Sequence, residues 1–267
     1  MTRVDGVGLA PTESVAGGAG NPPRVPNKMM ASLAADGADV RGMFNRVARR
    51  YDAANRIMSA GVDVLWRRKA IRWLADGLRV DGASERPRVL DLGAGTLDGA
   101  LEIARRIPGA RVVGADFAGE MLRVGRGKIP GGAVIETHAA DGHRLPYRDC
   151  AFDGAFSAFC VRNFAALPVA MRELRRVVRP GGRVAILEFF RPERPRFFFD
   201  KIYNGRVLPL VGWAVTGDRD AYRYLPQSIE RFCSRDEFAT LLSESGFQGV
   251  EGRALFPSGV ASLVTAS

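Results

Sequence analysis

With 267 residues, 46% of them hydrophobic, the chain can fill one large core or two small ones. Its 39 basic and 29 acidic residues leave a formal charge of +10, which suits a phosphate-bearing partner, either nucleic acid or an anionic membrane. Cys150, Cys160 and Cys233 are odd in number and lack paired or metal-type spacing, which argues against a disulfide framework and fits a reducing cytoplasm.

Residues 1–38 are rich in glycine, proline and alanine, bury too little apolar surface to offset their ordering entropy, and are expected to be a disordered tail. No basic-then-apolar signal segment opens the chain, and VLPLVGWAVTG at 207–217 is too short to span a bilayer. From Val40 the apolar residues Met43, Phe44, Val47, Tyr51 and Ile57 recur at helical steps, and DVLWRRKAIRWLADGL at 63–78 predicts a second amphipathic helix. Strands and helices then alternate: strands at 89, 111, 133, 152 and 182, helices at 97–106, 117–128 and 166–178. That alternation predicts right-handed crossovers and a mostly parallel sheet covered on both faces. A capping box, Ser234 to Glu237, opens the last helix, which stops at Gly246; FQGVEGRALF and GVASLVTA read as a closing antiparallel hairpin.

The first strand runs into RVLDLGAGTLDGA at 88–100. In a doubly wound sheet such a turn lets backbone amides and a helix N-terminus approach a ligand, the task of Gly93 and Gly95. Asp116 ends the second strand 23 residues after Gly93, as expected of a carboxylate gripping a ribose diol. A dinucleotide needs a third glycine for its pyrophosphate, and Leu97 and Asp98 stand there instead. The turn therefore favours S-adenosylmethionine over a dinucleotide, with Asp141 and Gly142 after the third strand placed for the adenine edge.

The blocks MFNRVARRYDAANRIMSAGVDVLWRRKA, VLDLGAGTLD, RLPYRDCAFD, CVRNF, RELRRVVRPGGRVAILEF and LPLVGWAVTGDRDAYRYLPQSIERF resemble, in order, those of the UbiE/COQ5 family of menaquinone and ubiquinone C-methyltransferases. The resemblance implies a class I methyltransferase with a Rossmann-like α/β fold, S-adenosylmethionine as cofactor and a prenylated quinol as acceptor. Demethylmenaquinol is favoured, with the ubiquinone-pathway benzoquinol as the alternative; an RNA methyltransferase and a noncatalytic quinol or S-adenosylmethionine binder are the rivals. It divides residues 39–267 into a helical cap (39–80), a cofactor-binding core (88–190), an acceptor-facing insertion (191–230) and a closing helix with hairpin (231–267). It implies cofactor contacts at Gly93, Gly95, Thr96, Asp116, Asp141 and Gly142, while a family serine in the fourth strand aligns with Ala158, one residue after Ser157. The family's GTGDL reads GTLDG here: held at positive φ, a leucine at 97 would cost roughly 1–2 kcal/mol; the reading preferred is that Leu97, a good helix former, is already inside the helix with Gly99 returning space.

Carbon methylation needs a phenolate, and Arg162 of VRN is expected to stabilise it as the catalytic residue. Asn163 and Tyr222 are expected to bind substrate, while Tyr51, Asp52 and Tyr224 line or close the acceptor pocket. His143, beside Asp141, is a candidate base, and a solvated loop histidine is the alternative. The aromatics and four arginines of FFRPERPRFFFDKIYNGRVLPLVGW (189–213) suit an anionic membrane surface; they would equally suit RNA, by stacking and phosphate contact, and a buried helix pair capping the sheet is the third reading. The expected protein is cytoplasmic and peripheral to the inner face of the membrane, with no nucleic acid partner and no metal; homodimer formation is open.

Overall fold

The alternation of strands and helices folds into a seven-stranded sheet in the computed structural model, which describes residues 40–80, 86–192, 219–255 and 261–267. The side chains of residues 79, 80 and 219–223 lie outside that description. The expected tail (1–38) and most of the expected insertion (191–230) also lie outside the described residues.

Strands β1 (Arg88–Leu92), β2 (Arg111–Asp116), β3 (Ile135–Ala139), β4 (Phe152–Ala158) and β5 (Val178–Phe189) are parallel, and the hairpin of β6 (Glu251–Ala254) and β7 (Ala261–Ala266) joins antiparallel through β7. The spatial order is β3-β2-β1-β4-β5-β7-β6, so the chain reverses direction across the sheet between β1 and β4. A ligand crevice forms outside the carboxyl ends of the strands at such a point. The central strands β1, β2 and β4 are nearly continuous apolar runs because helices cover both faces. The edge strand β3 instead carries Glu136 and His138 in contact with solvent.

On one face, α3 (Val62–Val80) and α4 (Asp98–Arg106) pack Ile71, Leu74 and Ile103, with Leu97 just before α4, against Val89, Val112 and Phe156. On the other, α6 (Leu167–Val177) and α8 (Arg235–Glu244) pack Met171, Leu174, Phe238 and Leu242 against Leu90, Val113 and Ile186. The capping box forms as read: Ser234 accepts from the Glu237 N–H, and Glu237 accepts from the Ser234 N–H.

Three differences from the sequence expectation affect the site. The first helix breaks at residues 48–50 into α1 (40–47) and α2 (Tyr51–Met58). The break lets Phe44 meet both Tyr51 and Phe117 edge to face, at 6.0 and 6.5 Å, so that α1 lies over the end of β2. A helix that the spacing did not predict, α7 (Arg219–Arg231), carries Pro226 in its interior. The helix α4 begins one residue later than expected, and Leu97 stands outside it. The described helix α5 (Gly119–Arg126) completes the β2 crossover.

Candidate active site

A cavity of about 580 Å³ opens at the carboxyl ends of β1 to β4. Gly93, Asp116, Asp141 and Gly142, four of the residues expected to contact the cofactor, line it, together with Asn163, expected to bind substrate, and with Arg41, Phe117, His143, Cys160 and Phe164. Gly93 has φ +71°, and a Cβ there would sit 2.1 Å from the Cys160 sulfur, so the turn accepts only glycine. Asp116 organises the turn: its Oδ2 accepts from the Gly95 N–H and its Oδ1 from the Ala118 N–H, each at 2.8 Å. Burial pushes the Asp116 carboxyl above its ordinary value, against these backbone donors. Asp141 is held below its ordinary value; partial burial opposes this, and hydrogen bonds from His143 outweigh it.

Thr96 and Gly95 do not line the cavity. The Thr96 hydroxyl donates to Asp52 of α2 at 2.5 Å. Lys128 bridges Asp52 and Asp98 at 2.8 and 2.7 Å, and Arg56 joins Asp98 to Asp63. Although burial alone would raise it, Lys128 and the arginines hold the Asp98 carboxyl below its usual range. This chain of charges straps α2 and α3 to the back of the glycine turn. Sequence reading missed Asp52 as the partner of Thr96 and missed Lys128 entirely; the available signal was the pairing of RRYDAAN with GTLD in one set of family blocks.

Leu97 overturns the helical expectation, with φ +67° and ψ +17°, the left-handed region. The reason is space. Its buried side chain lies where side chains at Gly114 and Gly125 would be, 2.7 and 2.5 Å from their ideal Cβ positions. Gly99 in turn leaves room for Asp91 and Phe156, whose atoms lie 2.6 and 2.8 Å from its ideal Cβ. Asp91 is buried, its Oδ2 has no partner among the described residues, and burial pushes its carboxyl up to about 7.

The one-turn helix Val161–Asn163 follows β4. There the Arg162 Nη1 donates to Glu188 Oε1 at 2.6 Å and to the Phe159 carbonyl at 2.8 Å, while its Nε donates to Ser228 of α7 at 3.2 Å. Burial alone would lower the Arg162 pKa, but Glu188 opposite it raises it, so the guanidinium stays charged. Arg162 does not line the 580 Å³ cavity; its neighbours are Glu188 and, by their electrostatic influence, Tyr51 and Tyr224. Burial also pushes the Tyr51 phenol up, partly offset by a bond to Asn55 and by Arg162. Asn163 lines the cavity and accepts from the Tyr224 hydroxyl at 2.9 Å. Ser157 turns away, its hydroxyl donating to the Leu92 carbonyl at 2.7 Å, which leaves Ala158 without an equivalent contact. Tyr222 falls in α7, where its side chain lies outside the described residues. His138 meets the Tyr147 hydroxyl at 3.0 Å on the sheet edge. His143 is not a solvated ring: its Nε2 accepts from the Ala166 N–H at 3.1 Å, which occupies the lone pair a base would need.

The residues fit an adenosyl sulfonium cofactor. The cavity joins a glycine turn, a buried carboxylate with backbone donors and a second carboxylate at its rim, and Phe117 and Phe164 also line it. A carboxylate offers about four lone-pair sites, so Asp116 keeps capacity for a ribose hydroxyl beside its backbone donors. With no third glycine at the turn, such a site belongs to the S-adenosylmethionine-dependent methyltransferases of the class I fold, and this chain is one of them.

Solved structures share the fold. A chain of the Haloferax volcanii complex containing the Trm112 methyltransferase activator superposes with TM-score 0.56 at 18% identity, covering 82% of this chain and 96% of its own. Phosphoethanolamine N-methyltransferase 2 of Haemonchus contortus, solved with S-adenosyl-L-methionine, gives 0.52 at 15% identity, covering 68% and 48%. In sequence, demethylmenaquinone methyltransferase of Thermus thermophilus is 42% identical over 77% of this chain and 91% of its own. The ubiquinone/menaquinone biosynthesis C-methyltransferase UbiE of Paracoccus denitrificans is 39% identical over 84% and 88%. The model of the ubiE/COQ5 methyltransferase family matches residues 32–266, and the chain belongs to that family.

Proposed function

We propose that this enzyme methylates a ring carbon of a prenylated quinol, with demethylmenaquinol as its acceptor. The observation that carries the reading is the match to quinone C-methyltransferases at about 40% identity along most of the chain. When bound, S-adenosylmethionine supplies an electrophilic methyl group.

The protein's own residues must make the ring carbon nucleophilic, and a free phenol, with a pKa of about 10, is mostly unreactive at neutral pH. Arg162 supports the phenolate as a fixed positive charge. Glu188 and the Phe159 carbonyl occupy Nη1 and Ser228 lies on Nε, and we assign the remaining Nη2 to the developing oxyanion. Tyr224, by donating to the Asn163 Oδ1, orients that amide so that its NH₂ donates to a quinol oxygen. The phenol of Tyr51 and the stacked rings of Phe159 and Phe189, 4.6 Å apart, keep the reacting centre dry. The isoprenoid tail reaches the surface, so the enzyme works against the inner face of the membrane, drawn there by its charge of +10.

The test is purified protein with S-adenosylmethionine and either demethylmenaquinol or the benzoquinol precursor under reducing conditions. Methyl transfer to the naphthoquinol is expected. Transfer to the benzoquinol alone reassigns the acceptor, and cofactor binding with transfer to neither overturns the reading.

A further inference from the structure

We propose that His143 is a positioning residue that fastens the loop after β3 to the loop after β4 and so holds one wall of the cofactor cavity in shape. The inference rests on the assignment of that cavity to S-adenosylmethionine.

The hydrogen bonds determine the state of the ring. Ala166 presents a backbone N–H to Nε2 at 3.1 Å. An N–H only donates, so Nε2 carries its lone pair and the ring proton of the neutral imidazole is on Nδ1. That proton is aimed at Asp141 Oδ1, 2.6 Å away, which also accepts the His143 backbone N–H at 2.9 Å. One imidazole therefore spans from a rim carboxylate to the next loop.

Ala166 is the N-cap of α6 and has no side chain able to cap. His143, reaching in from another loop, accepts the N-cap residue's own backbone N–H and so ties this helix entrance to the loop after β3. A second contact reinforces the first. Phe164 lies on Gly142 so closely that a Cβ there would be 2.8 Å from the ring, and the His143 ring meets Phe164 edge to face at 5.5 Å. Asp141, Gly142, His143, Asn163, Phe164 and Ala166 all line the same cavity. If the ring is lost, Asp141 and Gly142 are free to part from Phe164 and Ala166, and the ligand must then order the wall on binding.

Two substitutions divide the ring's functions. His143→Gln can place an amide oxygen near Nε2 and keep the Ala166 link; His143→Asn can place an amide nitrogen near Nδ1 and keep only the Asp141 link; His143→Phe keeps the shape and neither bond. Calorimetry with S-adenosylmethionine is expected to give a Kd about tenfold weaker for His143→Phe and His143→Asn, and within about threefold of the parent for His143→Gln. In the parent protein, ring ¹⁵N signals are expected to show a protonated Nδ1 with an unprotonated Nε2, and the Ala166 amide is expected to exchange slowly with solvent. A His143→Phe protein that binds within twofold of the parent, or rescue by Asn where Gln fails, overturns the proposal. So does an averaged-tautomer ring spectrum. If the parent protein binds no S-adenosylmethionine, the cofactor assignment falls, and the ring and amide signals still decide whether the loops are fastened.

Discussion

Leu97 sets two energies against each other. A left-handed backbone costs an L-residue with a Cβ about 1–2 kcal/mol, while burying a leucine side chain in a fitted core site is worth more, since its removal costs about 2–5 kcal/mol. We therefore expect Leu97→Gly to relieve the strain yet lower stability by about 1–3 kcal/mol, read from thermal or urea unfolding. Restoring the family order with Leu97→Gly/Gly99→Leu should be worse, because a leucine at 99 meets Asp91 and Phe156. A double variant as stable as the parent would refute this account. The exchange was legible in GTLDG, but its consequence was not. The space at Leu97 is cut by Gly114 and Gly125, on β2 and α5, and no local propensity at residue 97 reports on them. Asp91 makes a second prediction at this scale. Its folded pKa, about 7, lies above its unfolded value near 3.9, so the folded state binds the proton more tightly. The contribution is complete below about pH 4 and is lost as pH rises through 7, roughly 4 kcal/mol in all. Asp91→Asn should flatten that slope relative to the parent between pH 4 and 7; parallel curves for the two proteins would show that Asp91 is not the titrating group.

Three elements meet at Arg162: the turn after β4, the strand β5 through Glu188, and α7 through Ser228. Removing one member of a buried ion pair leaves an uncompensated charge and costs about 3–5 kcal/mol. Glu188→Gln and Arg162→Ala should both lose stability on that scale, so a drop in turnover in Arg162→Ala alone does not isolate a role in the reaction. Arg162→Met/Glu188→Leu removes both charges and should recover most of the stability while leaving cofactor binding in place and methyl transfer abolished. If the double variant transfers methyl groups at the parent rate, Arg162 serves folding alone. The strand and helix order was readable because each element carries its own period, and the VRN turn was readable as a site because it ends a strand. Glu188 was visible only as a carboxylate inside the apolar run AILEF; its partner comes from a neighbouring strand end. The helix α7 was hidden because Pro226 argues against a helix interior, and tertiary contacts such as Ser228 with Arg162 overrode that local preference.

For the whole molecule the question is how the fold reaches an acceptor with a long apolar tail. Among the described residues no helix is long and apolar enough to cross a membrane. The segment read as suited to a membrane, 189–213, lies mostly outside the described residues; among those described, α2 and α3 leave apolar and basic side chains exposed. Ile57 and Leu65 are 56% and 60% exposed, and Arg68, Lys69 and Arg72 are exposed on α3 near Leu65. Burying one such aliphatic side chain is worth about 1.5–3 kcal/mol at most, and each cation near an anionic leaflet about 1 kcal/mol. Together these terms suffice for reversible association and fall short of permanent insertion. We therefore expect co-sedimentation with phosphatidylglycerol-containing vesicles at low salt, little with phosphatidylcholine alone, and release as salt rises toward about 0.5 M, where screening shortens the reach of the charges. Leu65→Glu, on an exposed face where folding does not require the leucine, should weaken vesicle binding about tenfold or more at unchanged thermal stability, through the loss of one buried side chain and the added like charge. Vesicle binding that is absent, or indifferent to lipid charge, to salt and to Leu65, would refute a charge-driven membrane contact through α2 and α3 and leave the chemistry at Arg162 and Asn163 to be tested separately.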